Sequence, residues 1–491
     1  MISACLGMLG AVEAKPLNVL MIAVDDMRPE LGCYGASHVK SPNIDRLANS
    51  GVVFERAYCQ QAICGPTRAS LLTGLRPDSS GVHGNHTHYR DKHPDIVTLP
   101  QYFKNNGYFT AACGKINHGV FPKGSAPKWD VMGDPQSWSV PAFRPGPRYY
   151  YTEEGIKSAQ GTFKKMFPKR PISDWGKYLV FGLLTESPEV DDDVLYDGQV
   201  AKRAEKYLND FGKTKDKPFF LAVGFIKPHS PYIAPKKYFD LYEPEKIALA
   251  ENQERPENAP RFAGQGSHEK RRYTDQPNRG PFSTENQQRT KQAYYACISY
   301  IDAQIGRVLD SLEKNGLAEN TVVILWSDHG YHLGEKGMWG KTTNYELDTR
   351  VAMICRTPGM KAAGKNSQAL VELVDVYPSL ASLTGLPVPK HCEGSSIAPL
   401  LNAPDKDWKH AAFSQFSRGT RMGYAMRTDR YRYVEWLDKK NENTVVAREL
   451  YDHQNDPHET KNIADDPKQK EVVKKLSKDL DQGKGWKNAQ R

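Results

Sequence analysis

No stretch of this 491-residue chain approaches the roughly 20 consecutive apolar residues that a membrane-spanning helix needs. Its eight cysteines (Cys5, Cys33, Cys59, Cys64, Cys113, Cys297, Cys355 and Cys392) contain no Cys-x-x-Cys pair, which excludes a zinc ribbon, and their dispersal does not suggest a disulfide framework. No internal repeat is present, so a solenoid is excluded. Lysines and arginines are spread along the chain rather than gathered on one helix, and no zinc-finger or RNA-binding signature occurs; nucleic acid is therefore not the expected partner. What remains is a chain with 39% hydrophobic residues, 39 glycines and 33 prolines, the composition of a globular protein with long loops. Its net charge of +9 suits a polyanionic partner or serves solubility alone.

The first fourteen residues are small and apolar and end Val12-Glu13-Ala14 before Lys15, the pattern of a signal-peptidase site. No Lys or Arg precedes the apolar part. Residues 1–14 are expected to be the remnant of an export signal, which makes the protein periplasmic or secreted.

Four short apolar runs dominate the next part of the chain. Residues 17–24 end in Asp25-Asp26, 108–113 in Gly114-Lys115, 218–225 in Lys227-Pro228-His229, and 321–327 in Asp328-His329. Continuous apolar runs of this length predict strands buried on both faces of a parallel sheet. Helical patterns over 42–49, 98–105, 194–211, 284–312 and 370–383 alternate with them, which argues an α/β fold around a large, mostly parallel sheet flanked by helices. Ligands of such sheets bind beyond the carboxyl ends of the strands, so the four polar termini can share one site. Residues 250–284 are polar and lack periodicity, and such a long excursion is expected near the mouth of the site. After residue 401 short alternating segments followed by a helix over 468–480 predict a small antiparallel sheet plus helix. The expected division is 15–400 for a catalytic unit and 401–491 for a C-terminal α+β unit.

The segment Cys64-Gly65-Pro66-Thr67-Arg68-Ala69-Ser70-Leu71-Leu72-Thr73-Gly74 resembles the signature of type I sulfatases. Asp25-Asp26, Gly114-Lys115 with His118, Lys227-Pro228-His229, Asp328-His329-Gly330 and Lys341 follow the order in which sulfatases of the alkaline phosphatase superfamily place their active-site groups. The resemblance to the iduronate-2-sulfatase-like branch runs over nearly the full length, including Ser299-Tyr300-Ile301-Asp302 and Val371-Glu372-Leu373-Val374-Asp375. It implies an alkaline phosphatase-like fold and hydrolysis of sulfate esters. It also implies that Cys64 is oxidised to formylglycine by a maturation enzyme, and that the substrate is a sulfated carbohydrate.

Hydrolysing an anionic ester takes a divalent cation, positive side chains, an activated nucleophile and an acid for the leaving group. Asp25, Asp26 and Asp328 offer the hard oxygen ligands that calcium prefers. By resemblance, residue 64 and His329 complete the shell. Most sulfatases have Asn where His329 stands, and imidazole is an uncommon calcium ligand, so His329 either binds the ion or orients Asp328. The resemblance gives Arg68 the role of holding the formylglycine diolate, Lys115 and Lys341 that of clamping sulfate, His118 that of taking a proton from the sulfated diol, and His229 that of leaving-group acid. Arg68 would lie one turn beyond Cys64 on a helix beginning near Pro66. Tyr331 stands where the iduronate enzyme has a tryptophan and is expected at the sugar, and Thr342 replaces an aromatic residue after Lys341. His83, His86 and His88 suggest a solvent-facing loop or a substrate contact, Asp191-Asp192-Asp193 an acidic helix start, and Asn85-His86-Thr87 a glycosylation acceptor. The superfamily's phosphodiesterases and phosphonate hydrolases share the sheet and metal acids, and a chain whose Cys64 stayed a thiol would be a non-catalytic glycan binder.

Overall fold

The computed structural model describes residues 15–118, 134–146, 150–177, 180–214 and 217–489, and the expected export signal lies outside them. The central sheet has eight strands: β1 (Asn18–Asp25), β2 (Val52–Tyr58), β3 (Phe109–Gly114), β4 (Phe219–Pro228), β5 (Thr321–Ser327), β6 (Arg350–Val351), β7 (Met353–Arg356) and β8 (Lys365–Glu372). β1 lies parallel to both β4 and β5, and β3 extends the sheet parallel to β4. On the other side β7 runs antiparallel to β5 and β2, β6 antiparallel to β2, and β8 parallel to β2. The sheet is therefore mixed and mostly parallel.

The unbroken apolar runs are explained by burial on both faces. Every residue of β1 is buried. Leu20, Ile22 and Val24 pack on one face among residues of the helices Tyr196–Thr214 and Thr284–Lys314, whereas Val19, Met21 and Ala23 join the other layer with Leu71, Leu72, Leu99 and Leu380. Alternation along one strand thus feeds two cores. Each fully buried Val, Leu or Ile contributes about 1.5–3 kcal/mol relative to exposure, so the ten such residues of β1, β4 and β5 fix which chain segments end beside one another.

Helices occupy Pro42–Ser50, Leu99–Asn105, Tyr196–Thr214 and Thr284–Lys314, close to expectation. Ser283 caps the longest by accepting from the Asn286 amide at 3.2 Å. The expected helix over 370–383 is corrected: residues up to Glu372 belong to β8, and the helix proper is Val376–Leu383. Pairing with β2 and burial of Leu370 and Val371 outweigh the helical periodicity there. The helix Glu153–Met166 and strand β2 were not anticipated from the sequence pattern.

The C-terminal part is a four-stranded antiparallel meander, β9 (Ala411–Arg418), β10 (Arg421–Thr428), β11 (Tyr431–Asp438) and β12 (Asn441–Asp452), followed by the helix Lys470–Leu480. Leu476 and Leu480 of that helix pack on Met426, Tyr433 and Leu450. A buried ion cluster ties this sheet to the large one: Glu372 at the end of β8 pairs with Arg76 at 2.8 Å and Lys409 at 2.7 Å, and accepts from the Phe413 amide at 2.9 Å. The seven cysteines among the described residues are free thiols.

Candidate active site

β1 ends at Asp25, and Asp26 takes a left-handed φ of 61°, a conformation Asp tolerates better than most residues. That turn is held on both sides, because the Asp26 amide donates to Asp328 Oδ1 at 3.0 Å and its carbonyl accepts from the Tyr294 hydroxyl at 2.7 Å. Asp328 follows β5 directly and also accepts from the His329 amide at 3.1 Å. Parallel pairing of β1 with β5 therefore places the three carboxyls together, and each is fully buried.

Cys64 is the first residue of the helix Cys64–Thr73, two residues earlier than expected, and is buried. The Gly65 amide donates to Asn85 Oδ1 at 2.8 Å, and a Cβ at position 65 would press on that oxygen at 2.8 Å. A larger residue at this point would have to displace the Asn85 side chain. Cys64 Sγ lies 3.4 Å from His329 Nε2, whose ring donates through Nδ1 to the Gly330 carbonyl at 3.0 Å. This tautomer leaves the Nε2 lone pair facing Asp26 Oδ1 at 3.3 Å and Asp328 Oδ1 at 3.6 Å.

A lone pair and two carboxylate oxygens converging in this way repel one another unless a cation lies among them. Ligand atoms of Asp25, Cys64, Asp328 and His329 fall within 4.8 Å of one another, as do those of Asp25, Asp26, Cys64 and His229. The donor set fits a divalent metal with mainly hard ligands.

Three cations face the three carboxyls. Arg68 reaches Asp328 Oδ2 through Nε at 3.0 Å and Asp25 Oδ1 through Nη2 at 3.1 Å, while Nη1 donates to the carbonyls of Lys115 and Ile116 at 2.7 and 3.0 Å. Four of its five N–H groups are so used, so its guanidinium orients the acidic cluster and keeps one N–H for the expected contact with residue 64. Lys115, just past β3, pairs with Asp25 Oδ2. Lys341 holds both oxygens of Asp26, at 2.8 and 2.6 Å. Burial alone would push the Asp25 carboxyl up, but Lys115 and Arg68 outweigh it and hold it well below the usual range. Burial pushes the Cys64 thiol up, and Asp25 adds to that, so this sulfur stays protonated.

Both histidines expected at the reacting centre line the same cleft. His118 Nδ1 is enclosed and has no protein partner among the described residues; burial and then Lys115 push its pKa down to about 2, which keeps the ring neutral. His229 donates through Nδ1 to the Ser230 carbonyl at 2.7 Å, which turns Nε2 to the cleft. Its loop is fastened by Asp197, which accepts from the amides of Ile226 and Lys227 at 2.8 and 2.9 Å. Lys227 is a strut, donating to the carbonyls of His229 and Pro231.

The cleft has a volume of about 1160 Å³, and the polar segment 250–284 lines it, as expected, together with the turn between β9 and β10. Glu269 from that segment lies 3.6 Å from His229 Nε2 and 3.5 Å from Lys341 Nζ. Nothing in its local sequence marks it, because it reaches the site only through the course of an aperiodic loop. Asn85 is equally unannounced as a support for the helix that Cys64 opens. Tyr331 is corrected: it is buried, its hydroxyl accepts from Tyr232 at 2.8 Å and its ring stacks on Tyr294, so it lies beneath the cleft, whose aromatic lining is Phe181, Phe262, Trp339 and Tyr345. Of the His83, His86, His88 cluster, only His86 lines the cleft; His83 pairs with Asp78, and His88 is buried as the cap of a short helical turn.

A doubly covered, mostly parallel sheet with an acidic, cation-matched cluster at its strand ends defines a hydrolase of the alkaline phosphatase-like fold. The chain belongs to the sulfatase family: the family's model matches residues 17–386, and that of the N-sulphoglucosamine sulphohydrolase C-terminal region matches 334–485. It is a sulfuric ester hydrolase. Iduronate 2-sulfatase of Mus musculus is 33% identical, covering 94% of each chain, and a sulfatase of Formosa agariphila is 33% identical over 94% of this chain and 86% of its own. Among solved structures, phosphonate monoester hydrolase of Agrobacterium radiobacter superposes with a TM-score of 0.72 at 23% identity, covering 94% of each chain. A 2-O GAG sulfatase superposes at 0.71 and 23%, covering 95% of this chain and 91% of that one. These last two establish likeness of fold alone.

Proposed function

We propose that the chain is an exported, exo-acting carbohydrate sulfatase that removes an O-sulfate from a sulfated polysaccharide or its oligosaccharides. The observation that carries this reading is the meeting of Cys64 with Asp25, Asp26, Asp328 and His329 on the floor of a cleft that also presents Lys341, His118 and His229. Residues 15–400 form the catalytic unit and 401–491 the C-terminal one. The three aspartates and His329, with residue 64, hold one calcium ion, which supplies Lewis-acid polarisation of the sulfate. Cys64, converted to formylglycine by a maturation enzyme, supplies the oxygen nucleophile as the aldehyde hydrate.

The remaining chemistry belongs to this chain's side chains. Lys341 and Lys115 present ammonium groups to the non-bridging oxygens. His229 hands a proton from Nε2 to the departing sugar oxygen, and the neutral His118 accepts a proton as the aldehyde is restored. Arg68 orients Asp25 and Asp328 and holds the formylglycine diolate through its remaining N–H.

Sulfate release from defined glycosaminoglycan disaccharides and algal oligosaccharides tests this, using protein co-expressed with the maturation enzyme and a Cys64→Ala control. Release from one sugar class that the control lacks is the expected result. Confirmed formylglycine with turnover of phosphonate or phosphate diesters but no sugar sulfate overturns it.

A further inference from the structure

The geometry points to a second anion subsite on the outer wall of the cleft, where Arg418 and Arg421 take a carboxylate or sulfate of the substrate other than the scissile sulfate; this rests on the carbohydrate reading above. The inner cations are spoken for, since Lys115, Lys341 and Arg68 each pair with a buried aspartate. The outer ones are not. Arg418 and Arg421, flanking Gly419-Thr420 in the turn between β9 and β10, line the same cleft and form no ion pair with a carboxylate among the described residues.

Their placement is built rather than incidental. Arg418 Nε donates to the Phe262 carbonyl at 3.1 Å, and Nη2 donates to the carbonyl of Thr342, the residue after Lys341. The guanidinium is thereby fixed beside the clamp by two neutral acceptors and without an ion pair, and burial pulls its pKa down by more than the nearby Asp348 and Tyr345 raise it. Arg421 stacks on the Phe262 ring at 4.5 Å, which holds its guanidinium plane while leaving its N–H groups free of protein partners among the described residues. Phe262 is braced in turn by an edge contact with the fully buried Trp436. A planar, preorganised guanidinium pair suits bidentate capture of a carboxylate or sulfate. The cleft, at about 1160 Å³, exceeds the upper end of the range usual for a single drug-sized ligand, which leaves room for more than one sugar.

The test is binding of chemically defined tetrasaccharides to full-length Cys64→Ala protein in saturating inorganic sulfate, which occupies the inner clamp. A heparosan tetrasaccharide presents carboxylates without sulfate, a carrageenan tetrasaccharide sulfates without carboxylate, and an agarose tetrasaccharide neither. Arg421→Gln is expected to weaken at least one anionic tetrasaccharide about tenfold, with Arg418→Lys in the same direction. Arg289→Gln, which removes an equal charge from the exposed face of a helix, is expected to change affinity less than twofold by the weak reach of screened charge. Which anionic probe loses affinity identifies the group the subsite reads. Equal losses in Arg421→Gln and Arg289→Gln, or a matching loss for the agarose probe, overturn the subsite. Because the readout is binding, this result stands apart from whether the mature enzyme releases sulfate from a sugar.

Discussion

Among single residues, Glu269 has the sharpest consequence. Burial would raise its carboxyl, but Lys341 and His229 hold it down to about 2, so it is an anion at any working pH, set between the lysine and histidine proposed to clamp sulfate and protonate the leaving group. An anion there opposes sulfate, and it favours a hydrogen-bond donor on the sugar carbon beside the scissile ester. Glu269→Gln is therefore expected to tighten product inhibition by inorganic sulfate on the order of fivefold, by removing a repulsion at about 4 Å from the clamp. It is expected to lower kcat/KM for the sugar ester, since a hydroxyl partner is weakened. Inhibition constants measured at constant ionic strength decide this, and unchanged or weaker sulfate binding would show that Glu269 does not face the anion. The Asp25, Asp26, Asp328 and His329 cluster was legible in sequence because each member ends a strand or follows it directly. Glu269 was not, since only the three-dimensional path of residues 250–284 brings it to the clamp. Tyr331 was misplaced for the converse reason: its position beside the motif residues says nothing about which way the ring turns, and stacking on Tyr294 turned it inward.

Elements are joined by ions whose pairing the sequence does not reveal. Glu372 closes β8 and holds Arg76, Lys409 and the backbone leading into β9, and Glu459 holds Arg432 at 2.8 Å and His453 at 3.1 Å on the C-terminal sheet. For Glu372, burial is outweighed by Arg76 and Lys409; for Glu459, by its hydrogen bond with His453 and the charge of Arg432. Each carboxyl falls to about 2 from an ordinary 4.5. Both pKa values are depressed in the folded state, so their stabilisation is complete above about pH 4.5 and is lost as pH falls toward 2. Acid unfolding of the C-terminal sheet, followed by hydrogen exchange of β9 to β12, is expected in that window. Glu372→Gln strands the buried Arg76, while Lys409 keeps Asp375 at 2.6 Å, and is expected to cost about 3 kcal/mol at pH 7 in chemical denaturation, with the acid step flattened. A loss under 1 kcal/mol would mean the cluster does not bind the two sheets together. Strands β1, β3, β4 and β5 were readable from apolar runs, the C-terminal sheet from alternation, and the long helix from its periodicity. β8 was read as helix because Leu370 and Val371 fit either period, and only the edge of β2 decides between them.

For the whole molecule the governing quantity is the charge at the floor of the cleft. Asp25, Asp26, Asp328 and Glu269 outnumber Lys115, Lys341 and Arg68 by one, so the protein's own charged groups leave no positive surplus there and hold little long-range attraction for an anion. A divalent cation bound by the aspartates and His329 would leave a surplus of one positive charge, which sulfate then meets in a site of low dielectric. Metal and sulfate should consequently bind with positive coupling, each tightening the other by one factor. In thermal and denaturant unfolding, calcium at a hundred times its dissociation constant is expected to stabilise the protein by about 2.7 kcal/mol, and excess chelator to remove that gain. Inorganic sulfate should stabilise appreciably only when calcium is present. Asp328→Asn should abolish both the calcium effect and the coupled part of the sulfate effect, while leaving Arg418 and Arg421 on the outer wall as they are. Sulfate stabilisation of equal size with and without calcium would place the anion away from the aspartate cluster, and with it the scissile group of the substrate.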